Sequence, residues 1–197
     1  VCQACIDHAK RYAALARKKA ETEKDEKRRA ELLDIAETCE YVPENPARNF
    51  REAMQSMVLA GLGKALEHPM FNQPHWGRGD QYLYPFFIND IKNKKITAQD
   101  ALSMLAEVIG RWGTQHMIAG SLHKQTHQIT FGINSMNLGG ITPEGFDGSN
   151  ELSYLFLHAV GLLQQSSPTV IINWNSQTPH WLMRKSIETN KLTGGGI

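Results

Sequence analysis

The sequence predicts an α/β protein, mostly helical with a few buried strands, and three observations carry that expectation. Apolar residues recur at helical spacing through most of the first 112 residues. Two β-like runs, 128–138 and 168–174, then flank an apolar helical stretch at 150–163. Charge is also uneven: residues 1–40 hold 18 charged side chains, 112–197 hold eight, and none lies between Leu152 and Met183. A chain of this size keeps polar surface in most of its elements, so a charge-free run of that length belongs inside something larger. Helices followed by strand–helix–strand suit an α/β barrel or a mixed fold with buried strands. The missing initiator Met and the end within Thr193-Gly194-Gly195-Gly196-Ile197 agree with an internal fragment of a single domain.

Residues 6–40 read as one long charged helix. Glu21, Glu23, Lys24, Asp25, Glu26, Lys27, Arg28 and Arg29 supply opposite charges at i+3 and i+4, and Leu32, Leu33, Ile35, Ala36 and Cys39 form a narrow apolar stripe. The segment 41–46 (YVPENP) breaks it, because each proline disfavours helix at the residue before it. A second helix is expected over 47–67, with Phe50, Met54, Met57, Val58 and Leu62 in phase, stopped by His68-Pro69. Residues 70–86 read as a loop rich in aromatic and polar groups. Thr97 and Asp100 form a capping box that opens a helix to Trp112. The first strand ends at Gly139-Gly140 and the second at 175–179, and a last helix runs over 179–191.

A formal charge of +1 gives no reason to expect nucleic acid or an anionic membrane as partner. No run of 18 residues is continuously apolar, and Asp7, His8, Lys10 and Arg11 interrupt any signal-like start. Three cysteines make no disulfide framework and suit reduced cytosolic thiols. Cys2-x-x-Cys5 has no second ligand pair for zinc and enters a helix rather than following a strand. His123 and His127 stand at i, i+4 without the Glu of HExxH or a visible third ligand. There is no P-loop and no Gly-x-Ser-x-Gly elbow. The residues left with chemical interest are polar ones in apolar strands: Asn134, Ser135 and Asn137 in the first, Asn173 and Asn175 around Trp174 after the second. Such side chains need partners, either loops nearby or a ligand in the mouth of a barrel.

Several blocks are similar to the glycyl radical enzymes of the pyruvate formate-lyase-like superfamily. They are Arg28-Arg29-Ala30-Glu31-Leu32-Leu33 with Ile35-Ala36-Glu37, Val42-Pro43-x-x-Pro46-Ala47-Arg48-x-Phe50-x-Glu52-Ala53-x-Gln55, Gly77-Arg78-x-Asp80-Gln81-Tyr82-Leu83-Tyr84-Pro85, Leu138-Gly139-Gly140, and Asn150-Glu151-Leu152-Ser153-Tyr154-Leu155. They follow the family's order and cover nearly the whole chain. Within the superfamily, Gln73-Pro74-His75-Trp76-Gly77-Arg78, Arg111-Trp112-Gly113-Thr114-Gln115 and the run 162–174 most resemble the fumarate-adding branch: benzylsuccinate, alkylsuccinate and naphthylmethylsuccinate synthases.

The resemblance implies part of a ten-stranded α/β barrel, with a helical portion over about 1–68 and a barrel portion over about 69–197. It implies a lyase that adds a hydrocarbon to fumarate by radical C–C bond formation. The glycyl radical would be installed by an activating enzyme using S-adenosylmethionine and an iron–sulfur cluster. Small accessory subunits, an oligomer and an anaerobic cytoplasm are implied as well. The family's radical cysteine and glycine lie downstream of this stretch, and Cys2, Cys5 and Cys39 lack the Gly-Cys-Val-Glu-like context. No catalytic residue, bound cofactor or metal is therefore expected here, only a pocket wall. The residues expected to line it for hydrocarbon and fumarate are His75, Trp76, Asn134, Ser135, Asn137, Gln164, Asn173 and Trp174. Other branches (diol or hydroxyproline dehydratases, aryl-acetate decarboxylases) and a non-catalytic scaffold are the alternatives.

Overall fold

The structure is a computed structural model that describes residues 2–67, 76–113, 135–165 and 168–195, the side chains of 64–67 and 112–113 excepted. It divides into two compact units, Val1–Asn72 and Gln73–Ile197.

The first unit holds helices α1 (Cys2–Thr22), α2 (Glu26–Tyr41) and α3 (Phe50–Glu67). The single helix expected over 6–40 is thus a helical hairpin. The Glu23 carboxylate accepts from the N–H groups of Lys24 and Asp25, and Asp25 then caps α2 by accepting from Lys27 and Arg28. Charged side chains satisfy the backbone at the break, so the i, i+4 charge pattern carries straight through it. Ala9, Ala13, Ala16 and Ala20, spaced 4–3–4, are buried along α1. Small side chains at that spacing let two helices approach closely, and Ala13 and Ala16 meet Ala36 and Cys39. Arg17 and Glu40 pair across the hairpin. Leu33, expected in the stripe, is exposed; Leu32, Ala36, Thr38 and Cys39 form the buried face instead. At α3 the Asn49 side chain accepts from Glu52 N, and buried Glu52 accepts from the backbone and guanidinium of Arg48.

The second unit runs α4 (Gly79–Tyr82), α5 (Tyr84–Lys92), α6 (Ala98–Gly113), β1 (Ser135–Gly139), α7 (Glu151–Leu163), β2 (Thr169–Asn173) and α8 (His180–Thr193). The loop expected over 70–86 gives way to helix at Gly79. Pro85 sits in the first turn of α5, where its missing N–H costs nothing. The Thr97–Asp100 capping box forms as expected: Thr97 N donates to Asp100 Oδ2 at 2.8 Å and Asp100 N to Thr97 Oγ1 at 3.1 Å. Asn150 caps α7 reciprocally with Ser153, and Gln164 closes it in the left-handed region. Residues 128–134 of the first expected strand, and His123 and His127, lie outside the described residues.

β1 and β2 pair in parallel, Ser135 with Thr169 through Gly139 with Asn173, with α7 between them in sequence. Trp76 N donates to Ser135 O and Asn137 N to Gly77 O, so the stretch at Gly77 lies along the other edge of β1. No helix among the described residues is long and apolar enough to cross a membrane.

Candidate functional site

Pleating divides the paired strands into two faces. Met136, Leu138 and Val170 are 0%, 0% and 1% exposed, so one face is covered. The register puts Ser135 beside Thr169 and Asn137 beside Ile171 on the other face, and alternation along β2 carries Asn173 to the same side. This second face is partly open: Ser135, Asn137, Thr169 and Asn173 are half-buried, and Ile171 is 43% exposed. The amides of Asn137 and Asn173 have no hydrogen-bond partner among the described residues.

Three of the residues expected to line a pocket therefore share one face: Ser135, Asn137 and Asn173. Trp76, Gln164 and Trp174 do not join them. Trp76 is 3% exposed, with its ring edge-on to Phe156 of α7 at 6.0 Å between centroids, which makes it packing. Gln164 is the exposed cap residue of α7. Trp174 is 67% exposed and lies past the end of β2. Asn175 is also beyond the strand and is tied to Asp147 by its side-chain amide at 2.7 Å. His75 and Asn134 lie outside the described residues. Thr169 and Ile171 share this face as well, and sequence reasoning did not single them out. The signal was the register with β1, which no single strand contains.

The end of β1 is held by a buried polar knot. Fully buried Asp80 accepts at Oδ2 from Gly139 N (2.7 Å) and Ser153 Oγ (2.6 Å). Arg78 donates to the carbonyls of Gly139 (2.7 Å) and Ile141 (2.9 Å). Gln81 and Asn150 donate to Gly148 O, and Asn150 also to Asp80 O. Burial raises the Asp80 carboxyl above its ordinary range, and the bonds from Gly139 and Ser153 only partly offset that. Gly139 and Gly140 have φ of +67° and +87°, and a Cβ on Gly140 would come within 3.0 Å of Asn173 Cβ. Only glycine suits this turn. Three sequence blocks far apart in the chain, 77–85, 138–140 and 150–155, thus meet at one point and fix where β1 stops.

A cleft of about 980 Å³ is lined by Tyr84, Phe87, Ile88, Ile91, Tyr154 and Trp181, among others. Tyr84 donates to Glu151 Oε2 at 2.7 Å at this cleft; burial, then that bond, push its phenol up to about 12. Among the described residues, none of those expected from sequence lines it. Among the described residues no cluster of three or more His, Cys, Asp or Glu is placed to hold a metal. Cys2, Cys5 and Cys39 are free thiols of the first unit, and burial raises Cys39.

Residues 1–197 match the pyruvate formate lyase-like family. The chain is 34% identical over 196 residues to an isethionate sulfite-lyase of Oleidesulfovibrio alaskensis, covering 99% of this chain and 24% of that protein. It is 30% identical over 197 residues to a trans-4-hydroxy-L-proline dehydratase of Clostridioides difficile, covering 98% and 25%. Among solved structures it resembles a glycyl radical enzyme from Archaeoglobus fulgidus, with a TM-score of 0.85 and 34% identity over 95% of this chain and 24% of the other. The chain spans about a quarter of the length of these relatives. Its fold is a part of the glycyl radical enzyme barrel fold, with the open face of β1 and β2 built from its own residues. The chain belongs to the pyruvate formate lyase-like family.

Proposed function

We propose that the chain is part of a glycyl radical enzyme that eliminates a small leaving group, such as water or sulfite, from a small hydroxylated substrate. The observation that carries this reading is similarity along nearly the whole chain to a sulfite-lyase and a dehydratase. It departs from the fumarate addition expected from sequence, because the sulfite-lyase and the dehydratase eliminate a leaving group. The polar character of the open face agrees with it. Amide and hydroxyl groups at Asn137, Asn173 and Thr169 suit a substrate that offers hydrogen bonds and penalise a plain hydrocarbon.

The radical machinery resides in other parts of such an enzyme. There, a glycyl radical made by a radical S-adenosylmethionine activating enzyme supplies hydrogen-atom abstraction. The described residues supply a wall of the cavity: they orient the substrate and keep water out. The role of partner falls to the activating enzyme, and oxygen sensitivity places the protein in an anaerobic cytoplasm. Pocket roles for His75 and Asn134 remain part of this proposal. Fumarate addition is the second reading, and the run 162–174 favours it through its likeness to that branch.

The test uses the full-length protein, activated anaerobically with its activating enzyme and offered isethionate, trans-4-hydroxy-L-proline, propane-1,2-diol, glycerol, or toluene with fumarate. Release of sulfite or formation of a dehydrated product is expected. Benzylsuccinate as the sole product would replace the elimination reading by the second one. Failure to form a glycyl radical would end both.

A further inference from the structure

We infer that Ile171 and Thr169 of β2 line the substrate cavity, Ile171 supplying an apolar contact between the amides of Asn137 and Asn173. The inference deepens the proposed function and rests on it. Both faces of a parallel sheet are normally covered. Here Val170 is 1% exposed while its neighbour Ile171 is 43% exposed, although Ile171 sits mid-strand beside Asn137.

What covers this face must do two things at once. It must take up the apolar surface of Ile171, and it must meet the hydrogen-bonding groups of Asn137, Asn173 and Thr169. A packed barrel core does the first and penalises the second, because polar groups buried without partners destabilise it. A small molecule with a hydrocarbon part flanked by hydroxyl, carboxylate or sulfonate groups does both. Thr169 offers a hydroxyl beside Ser135, and Ile171 offers a branched alkyl group that fixes where the hydrocarbon part lies.

The experiment uses the full-length protein, not activated, with Ile171→Cys, Thr169→Cys and, as the covered-face control, Val170→Cys. Each is treated with methyl methanethiosulfonate, with and without isethionate, trans-4-hydroxy-L-proline or propane-1,2-diol, and labelling is read on the peptide by mass. Ile171→Cys and Thr169→Cys are expected to label about tenfold faster than Val170→Cys, because reaction requires access to the thiolate. The compound that the wild type turns over is expected to protect both. Labelling of both as slow as that of Val170→Cys overturns the inference, since another part of the barrel then covers the face. Fast labelling that the turned-over compound leaves unchanged overturns it too. Fast labelling together with a wild type that makes benzylsuccinate as its sole product rejects the elimination reading, and with it the inference that rests on it.

Discussion

Asp80 shows how one buried carboxyl organises the site. It joins Gly139 N to Ser153 Oγ, and burial disfavours its charge. A carboxyl whose folded pKa is raised binds its proton more tightly in the native state. Its favourable linkage to folding is therefore complete below the unfolded value near 3.8 and is lost as pH rises through the higher folded value. In Asp80→Asn the amide oxygen still accepts from Gly139 and no charge is buried. Melting of the wild type and of this variant from pH 4 to pH 7 should show the variant gaining relative stability as pH rises. A gap independent of pH would contradict the account of Asp80. Sequence reading picked out Asp80 only within a family motif. Its partners lie 59 and 73 residues away, and no local rule connects them.

The elements were legible where periodicity and caps agree. The Thr97–Asp100 cap, the apolar α7 and the β2 strand all follow their local patterns. The hairpin of α1 and α2 was not legible, because Glu23 and Asp25 satisfy the break with the same charged residues that decorate a continuous helix. α5 was hidden because Tyr84-Pro85-Phe86-Phe87 looks like aromatic loop, whereas Pro85 is a first-turn residue. The alanine seam makes its own prediction. Ala13 is 0% exposed against α2, so Ala13→Leu forces extra methylenes into a closed interface. It should cost about 1–3 kcal/mol in chemical denaturation. No change in midpoint would mean that the helices do not meet along Ala13.

At the scale of the molecule, the two paired strands with their crossover helix form a two-stranded parallel sheet, and one of its faces is partly open among the described residues. The composition had already signalled it: the charge-free run from Leu152 to Met183 includes most of α7 and all of β2. Which polar residues share a face was not legible, since that depends on the pairing of Ser135 with Thr169, 34 positions further along the chain. Asn173 proved to share the open face, while Trp174 and Asn175 fell beyond the strand. The central claim is that this face touches the substrate, and Asn137 stands in its middle. The most direct measurement is the kinetics of Asn137→Ala in the activated full-length enzyme, normalised to glycyl radical content. Loss of a hydrogen bond to substrate predicts about a tenfold fall in kcat/KM at unchanged radical content and unchanged melting. Unaltered kcat and KM in a folded, fully radical-bearing variant would contradict the claim.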